Sequence, residues 1–129
     1  MSVLAVVKSG FSLLPSRRDD ELLVQFTGNA DMEATPVLDG YLRDLHEEVM
    51  ASGLRKVAFD FAELDFMNSS SFKCFVAWIS TITKLPAEER YEVRFLSNPA
   101  AQWQRRSLEA LHRFAPEVVV LEPLPARES

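Results

Sequence analysis

A chain of 129 residues fits one domain and is long enough to bury a core without disulfide or metal staples. Hydrophobic residues make up 47% and charged residues 26%, the usual balance of a globular protein that folds in water. The formal net charge of −5, with basic residues scattered in groups no larger than Arg17-Arg18 or Arg105-Arg106, argues against a nucleic-acid surface.

The single cysteine, Cys74, excludes an internal disulfide and a multi-cysteine metal site, and suits a reducing cytosol. Residues 1–8 lack the basic leader and long apolar core of a signal peptide, and no apolar run approaches the ~20 residues of a membrane span. A cytoplasmic protein without membrane contact is therefore expected.

The pattern leaves open whether residues 3–7 form a strand. Residues 11–14 are a short apolar run, and 15–20, opening with Pro15 and closing with Asp19-Asp20, read as a turn. Residues 22–27 then read as a strand ending at Gly28, so the two runs make a hairpin. From Pro36 the period changes: Val37, Leu38, Tyr41, Leu42, Leu45 and Val49 repeat at three and four, the apolar stripe of an amphipathic helix. Thr35 and Pro36 suit N-cap and N1, with a start near Met32 as the alternative, and Gly53 is a natural stop. Residues 57–61 read as a buried strand. A second stripe runs through Phe72, Phe75, Val76, Ile79 and Ile82 until Pro86. On this helix Cys74 and Trp78 are spaced i, i+4 on the side away from that stripe, where Trp78 either tucks against a neighbour or anchors a partner. Residues 91–96 alternate like a strand. Asn98-Pro99 opens a third helix with Leu108, Leu111 and Ala115 inward and Trp103 and Phe114 on its flanks. Residues 118–121 close the order, and a loose tail follows from Glu122.

The order is β-β-α-β-α-β-α-β, one α/β domain whose core spans about 11–121. Its single mixed sheet is mainly parallel after the opening hairpin, with helices packed against it. Leu42, Leu45, Phe59, Phe61, Phe75, Val76, Ile79, Phe95 and Leu111 are its expected core.

Signatures of catalysis are missing. The four glycines, at 10, 28, 40 and 53, form neither a dinucleotide fingerprint nor a P-loop. His46-Glu47-Glu48-Val49-Met50 begins like a zinc-protease motif, but Met50 stands where the second ligand belongs. His46 and His112 read as solvated helix histidines. Asp60 and Asp65 flank the loop before the second helix without the setting of an acid–base pair. No catalytic residue, metal or cofactor is expected.

The segment Leu64-Asp65-Phe66-Met67-Asn68-Ser69-Ser70-Ser71-Phe72-Lys73 stands apart, because three consecutive hydroxyls sit at a helix entrance. Capping explains one such residue and is worth ~1 kcal/mol. The others are spare hydroxyls at the positive end of a helix dipole, where a phosphate is electrostatically welcome.

Residues 57–79 resemble the central signature of STAS domains: a strand with an interior Asp, a short loop, two apolar residues, then Asp-Ser-Ser-Gly opening the second helix. Asp60 matches the strand Asp, Phe66-Met67 the apolar pair, and Asn68-Ser69-Ser70-Ser71 the Asp-Ser-Ser-Gly. Gly28-Asn29-Ala30-Asp31 is similar to the glycine and Asp that lead into the family's first helix. Asn68 replaces an Asp and Ser71 a Gly. The run 68–73 is also similar to the Asn-Thr-Ser-Ser-Ser-Lys of a related group that regulates diguanylate cyclases.

The resemblance implies a non-enzymatic domain, like an anti-sigma factor antagonist, that binds a serine kinase or anti-sigma-like protein. It places a phosphorylation switch at Ser69, with Ser70 second. Together with the helical spacing of Cys74 and Trp78, this gives an expected partner surface of Asn68, Ser69, Ser70, Ser71, Lys73, Cys74 and Trp78. An unswitched scaffold whose serines only cap the helix, a diguanylate cyclase regulator and a small-ligand or lipid-binding domain are the alternatives.

Overall fold

The computed structural model describes residues 3–125. Along them run β1 (Val6–Val7), β2 (Phe11–Arg18), β3 (Glu21–Ala30), α1 (Ala34–Ser52), β4 (Lys56–Asp60), β5 (Leu64–Met67), α2 (Ser69–Thr83), β6 (Glu92–Ser97), α3 (Gln102–Phe114) and β7 (Val119–Pro123). All the strands belong to one sheet ordered β1-β2-β3-β4-β6-β7, with β5 beside the end of β3. The β1–β2 and β2–β3 pairs are antiparallel; the others are parallel.

Strand periodicity aims one face of this sheet at the helices. Register aligns Pro15, Val24, Phe59, Phe95 and Leu121 in one row, and Arg17, Leu22, Val57, Val93 and Val119 in the next. Phe75 from α2 packs on this face, with ring centroids 5.2 Å from Phe59, 5.8 Å from Phe61 and 5.7 Å from Phe95. Every expected core residue is buried except Val76, which is half-buried at the margin. The opposite sheet face holds the row Ser16, Leu23, Ala58, Arg94 and Val120. There Arg94 reaches carboxylates of Glu92 at 3.1 Å, Glu122 at 3.7 Å and Glu21 at 3.8 Å.

Several expectations change. Residues 15–18 are strand, not turn; the chain reverses at Asp19-Asp20, where Asp19 adopts φ +50°. Pro15 is tolerated because β1 pairs only with Ser12 and Leu13, leaving β2 an edge strand at that point. Residues 6–7 do form a strand, and 64–67 form another inside the segment read as a loop. Helix α1 starts at Ala34, between the two expected starts, because the Asp31 carbonyl accepts the Ala34 and Thr35 N–H groups at 3.1 and 3.2 Å. Gly53 ends the helix as expected, in the left-handed conformation, with its N–H donating to the Val49 carbonyl.

Gly28 has a stricter reason to be glycine. Its φ is +90°, and a Cβ there would lie 2.3 Å from the Gly10 carbonyl oxygen. Its N–H donates to the Glu63 carbonyl at 2.9 Å, which holds the β4–β5 loop against the end of β3. That loop leads into the serine segment.

Candidate functional site at the entrance of the second helix

Strand β5 delivers the chain to α2. It pairs Phe66 with Asn29 and Met67 with Ala30, and the Asn68 N–H donates to the Ala30 carbonyl at 2.8 Å. Asn68 is therefore pinned where the ladder ends, in the extended conformation that an N-cap needs. Its Oδ1 accepts the Ser71 N–H at 2.8 Å, and its backbone carbonyl accepts the Phe72 N–H at 3.0 Å.

The three serines then separate by helical angle. Ser71 turns inward, is fully buried, and places its hydroxyl 2.9 Å from the Thr35 hydroxyl on α1. Thr35 Oγ1 also lies 3.2 Å from the Asp31 carbonyl and 3.5 Å from Asn68 Oδ1. Thr35 thus does not cap α1; it joins the start of α1 to the start of α2. Ser69 and Ser70 are exposed, and among the described residues neither hydroxyl has a hydrogen-bond partner. Exposed Lys73 lies one turn after Ser69, on the same helix face. Phe66 on β5 and Met32 on the β3–α1 connection are 48% and 84% exposed.

Two residues expected on a partner surface lie inside. Ser71 is closed off by its contact with Thr35. Trp78 is 4% exposed; its indole N–H donates to the buried Tyr91 hydroxyl at 2.9 Å, and its ring packs 5.5 Å from Phe59. The buried face of α2 is wider than its apolar stripe because the helix packs against two neighbours, the sheet and α1, so more of its circumference is covered. Cys74 is half-buried, with its sulfur 3.9 Å from the Thr35 carbonyl. Burial, aided by the Asp39 charge, raises its pKa and keeps it a thiol. Asn68 is half-buried, so Ser69, Ser70 and Lys73 are the members of the expected surface that lie open.

The carboxylates and histidines take structural positions. Asp60 Oδ1 accepts the Ala62 N–H at 2.8 Å and shapes the turn after β4, while Asp65 is exposed on β5. Neither histidine is merely solvated: His46 bonds Tyr91 and His112 bonds the Val119 carbonyl through Nδ1, at 2.7 and 2.8 Å. Among the described residues no group of three or more His, Cys, Asp or Glu can hold a metal ion, and no helix is long and apolar enough to cross a membrane.

Gln104 went unnoticed in the sequence. It is fully buried on α3, donates from Nε2 to the carbonyls of Phe61 at 2.8 Å and Leu64 at 3.0 Å, and accepts the Asn98 N–H at 2.8 Å. It clamps the loop that feeds β5 and the serine entrance. No local signal marks it, because its partners are distant in the chain.

No protein-family model matches the sequence, and no curated protein matches it. Solved structures do match. An anti-sigma factor antagonist from Mycobacterium paratuberculosis superposes with a TM-score of 0.61 at 22% identity, over 89% of this chain and 87% of that one. A chain of the complex between the diguanylate cyclase SiaD and its activator SiaC, from Pseudomonas aeruginosa, gives 0.66 at 16% identity, over 94% and 99%. The Bacillus cell fate determinant SpoIIAA in its phosphorylated form gives 0.57 at 11%, over 88% and 91%. By these superpositions this chain has the SpoIIAA-like fold of anti-sigma factor antagonists, the STAS fold its central motif resembles.

Proposed function

We propose that this chain is a non-enzymatic, protein-binding regulatory domain acting in the cytoplasm, and that phosphorylation of Ser69 switches its partner off. The observation that carries this reading is the division of labour at the α2 entrance. Asn68 and Ser71 complete the cap and the tie to α1, while Ser69 and Ser70 stay exposed with uncommitted hydroxyls. A helix that only needed capping would not need the exposed pair.

A phosphate on Ser69 adds about −1.5 to −2 charges at a helix N-terminus, where the dipole and free N–H groups favour an anion. Lys73 one turn on supplies a cation. The fold accommodates the charge locally, whereas a partner packed over the entrance would have to strip water from it, which is costly without a matching cation. Ser69 is favoured over Ser70 because the resemblance aligns it with the modified residue in both groups of relatives. By the same resemblance the partner is a serine kinase or anti-sigma-like protein. A diguanylate cyclase is the second reading, favoured by the run 68–73 and by the match to the SiaD–SiaC complex.

The test is capture from native lysate with unmodified protein, Ser69→Ala and protein carrying phosphoserine at 69. Unmodified protein and Ser69→Ala are expected to retain the same partner and the phosphorylated protein to lose it. Equal capture by all three would overturn the switch. Intact mass of protein purified from its native host is expected to show one added phosphate.

A further inference from the structure

The residue that looked like a partner anchor belongs instead to a three-residue hydrogen-bond chain joining α1, α2 and the start of β6. Trp78 Nε1–H donates to Tyr91 Oη at 2.9 Å, and Tyr91 Oη lies 2.7 Å from His46 Nδ1. Tyr91 is 3% exposed, so its hydroxyl has little access to water.

The direction of the chain follows from counting protons. Indole N–H can only donate, so the Tyr91 oxygen is an acceptor towards Trp78. The tyrosine keeps one proton of its own, and the acceptor placed to receive it is His46 Nδ1. That nitrogen must then carry no proton, which fixes His46 as the neutral tautomer with its proton on Nε2. Protonating His46 puts a hydrogen on Nδ1. Tyr91 would then face donors on both sides, and its own buried proton would lose its acceptor, a costly arrangement in the interior.

We propose that His46 is a proton-gated pin between α1 and the α2–β6 layer: its neutral form completes the Trp78–Tyr91–His46 chain, and its protonation breaks it. Among the described residues, the charged and titratable groups that share the imidazole's pocket, act on it or bond it are Asp39, Arg43 and Glu47 on α1, Cys74 on α2 and Tyr91 ahead of β6. Burial lowers the His46 pKa, and Glu47 opposes that shift without reversing it. Asp39 is already engaged by Arg43 at 2.9 Å. The pin lies two to three turns along α2 from Ser69, whose end of the helix is tied separately to α1 through Thr35 and Ser71. Breaking it loosens a polar tie between α1 and the layer that carries the proposed switch.

The sign of the pH effect follows. The folded state holds His46 at a pKa below the ordinary 6.5, so the unfolded chain binds more protons as pH falls from about 7. Stability from this group is complete above the unfolded value and is lost as pH falls towards the folded one.

Nitrogen-15 NMR of the full chain at pH 7.5 is expected to show His46 Nδ1 unprotonated and Nε2 protonated. Titration is expected to give His46 a pKa below 6.5, with the Trp78 indole N–H resonance moving in the same transition. Tyr91→Phe, which keeps the ring and removes the hydroxyl, is expected to raise the His46 pKa and flatten the fall in melting temperature between pH 7 and 5. A proton on Nδ1 at pH 7.5 overturns the proposal, as does an unchanged His46 pKa in Tyr91→Phe. Should Tyr91→Phe fail to fold, the wild-type tautomer and the joint His46–Trp78 transition decide the matter alone.

Discussion

Replacing Phe75 with Ala tests the packing on which the site stands. The side chain is fully buried, and its ring lies within 5.2 to 6.4 Å of five others, those of Phe26, Phe59, Phe61, Trp78 and Phe95. An aromatic side chain of this kind buries roughly 200 Å². At about 25 cal/mol per Å² that is near 5 kcal/mol, of which the remaining Ala methyl retains a part. Adding the cavity left among rings that cannot all collapse, the expected loss is about 3–5 kcal/mol. Small domains have about 5–15 kcal/mol in total, so the loss is a large share of the whole and easily measured. Urea denaturation followed by tryptophan fluorescence measures the loss as a lower midpoint at unchanged slope. Val76→Ala, at the margin of the same helix, is the internal comparison and should cost about 1 kcal/mol or less. A Phe75→Ala loss below about 1.5 kcal/mol, or equal losses in the two variants, would refute the assignment of the inward face of α2.

Gly28→Ala should be strongly destabilising, by about 2 kcal/mol or more, since it combines a positive φ with a Cβ 2.3 Å from a backbone oxygen; thermal unfolding reads it, and a neutral result would disprove the close approach of the β1–β2 connection. Gln104→Leu should cost about 2–4 kcal/mol, because it leaves the Phe61 and Leu64 carbonyls and the Asn98 N–H without their partner. In that variant hydrogen exchange should quicken first at Leu64 and Phe66, ahead of α1; uniform change across the domain would deny Gln104 its role as a clamp on the serine entrance.

Much of the fold follows from local order. Period-two runs at 22–27 and 91–96, and period-three-and-four stripes along α1, α2 and α3, are properties of neighbouring residues, and of the nine core residues they pick out only Val76 is not fully buried. The capping role read into the segment 68–71 and the exposure of Ser69 belong to the same class, since both depend on a few adjacent side chains and the helix they open. Pro15 misleads because proline reads as a turn wherever the sheet edge is unknown. Edge position is a fact about β1, a two-residue strand too short to announce itself. Trp78, Tyr91 and His46 are separated by 13 and 45 positions. Nothing local says that an indole, a phenol and an imidazole will meet. Gln104 likewise reaches back some 40 residues to the carbonyls it satisfies. The sequence by itself determined the three helices, the longer strands and the serine end of α2, because those rest on short-range periodicity and capping. Only the tertiary structure decided which polar groups are buried together, since a buried hydrogen bond is specified by the packing of whole elements against one another.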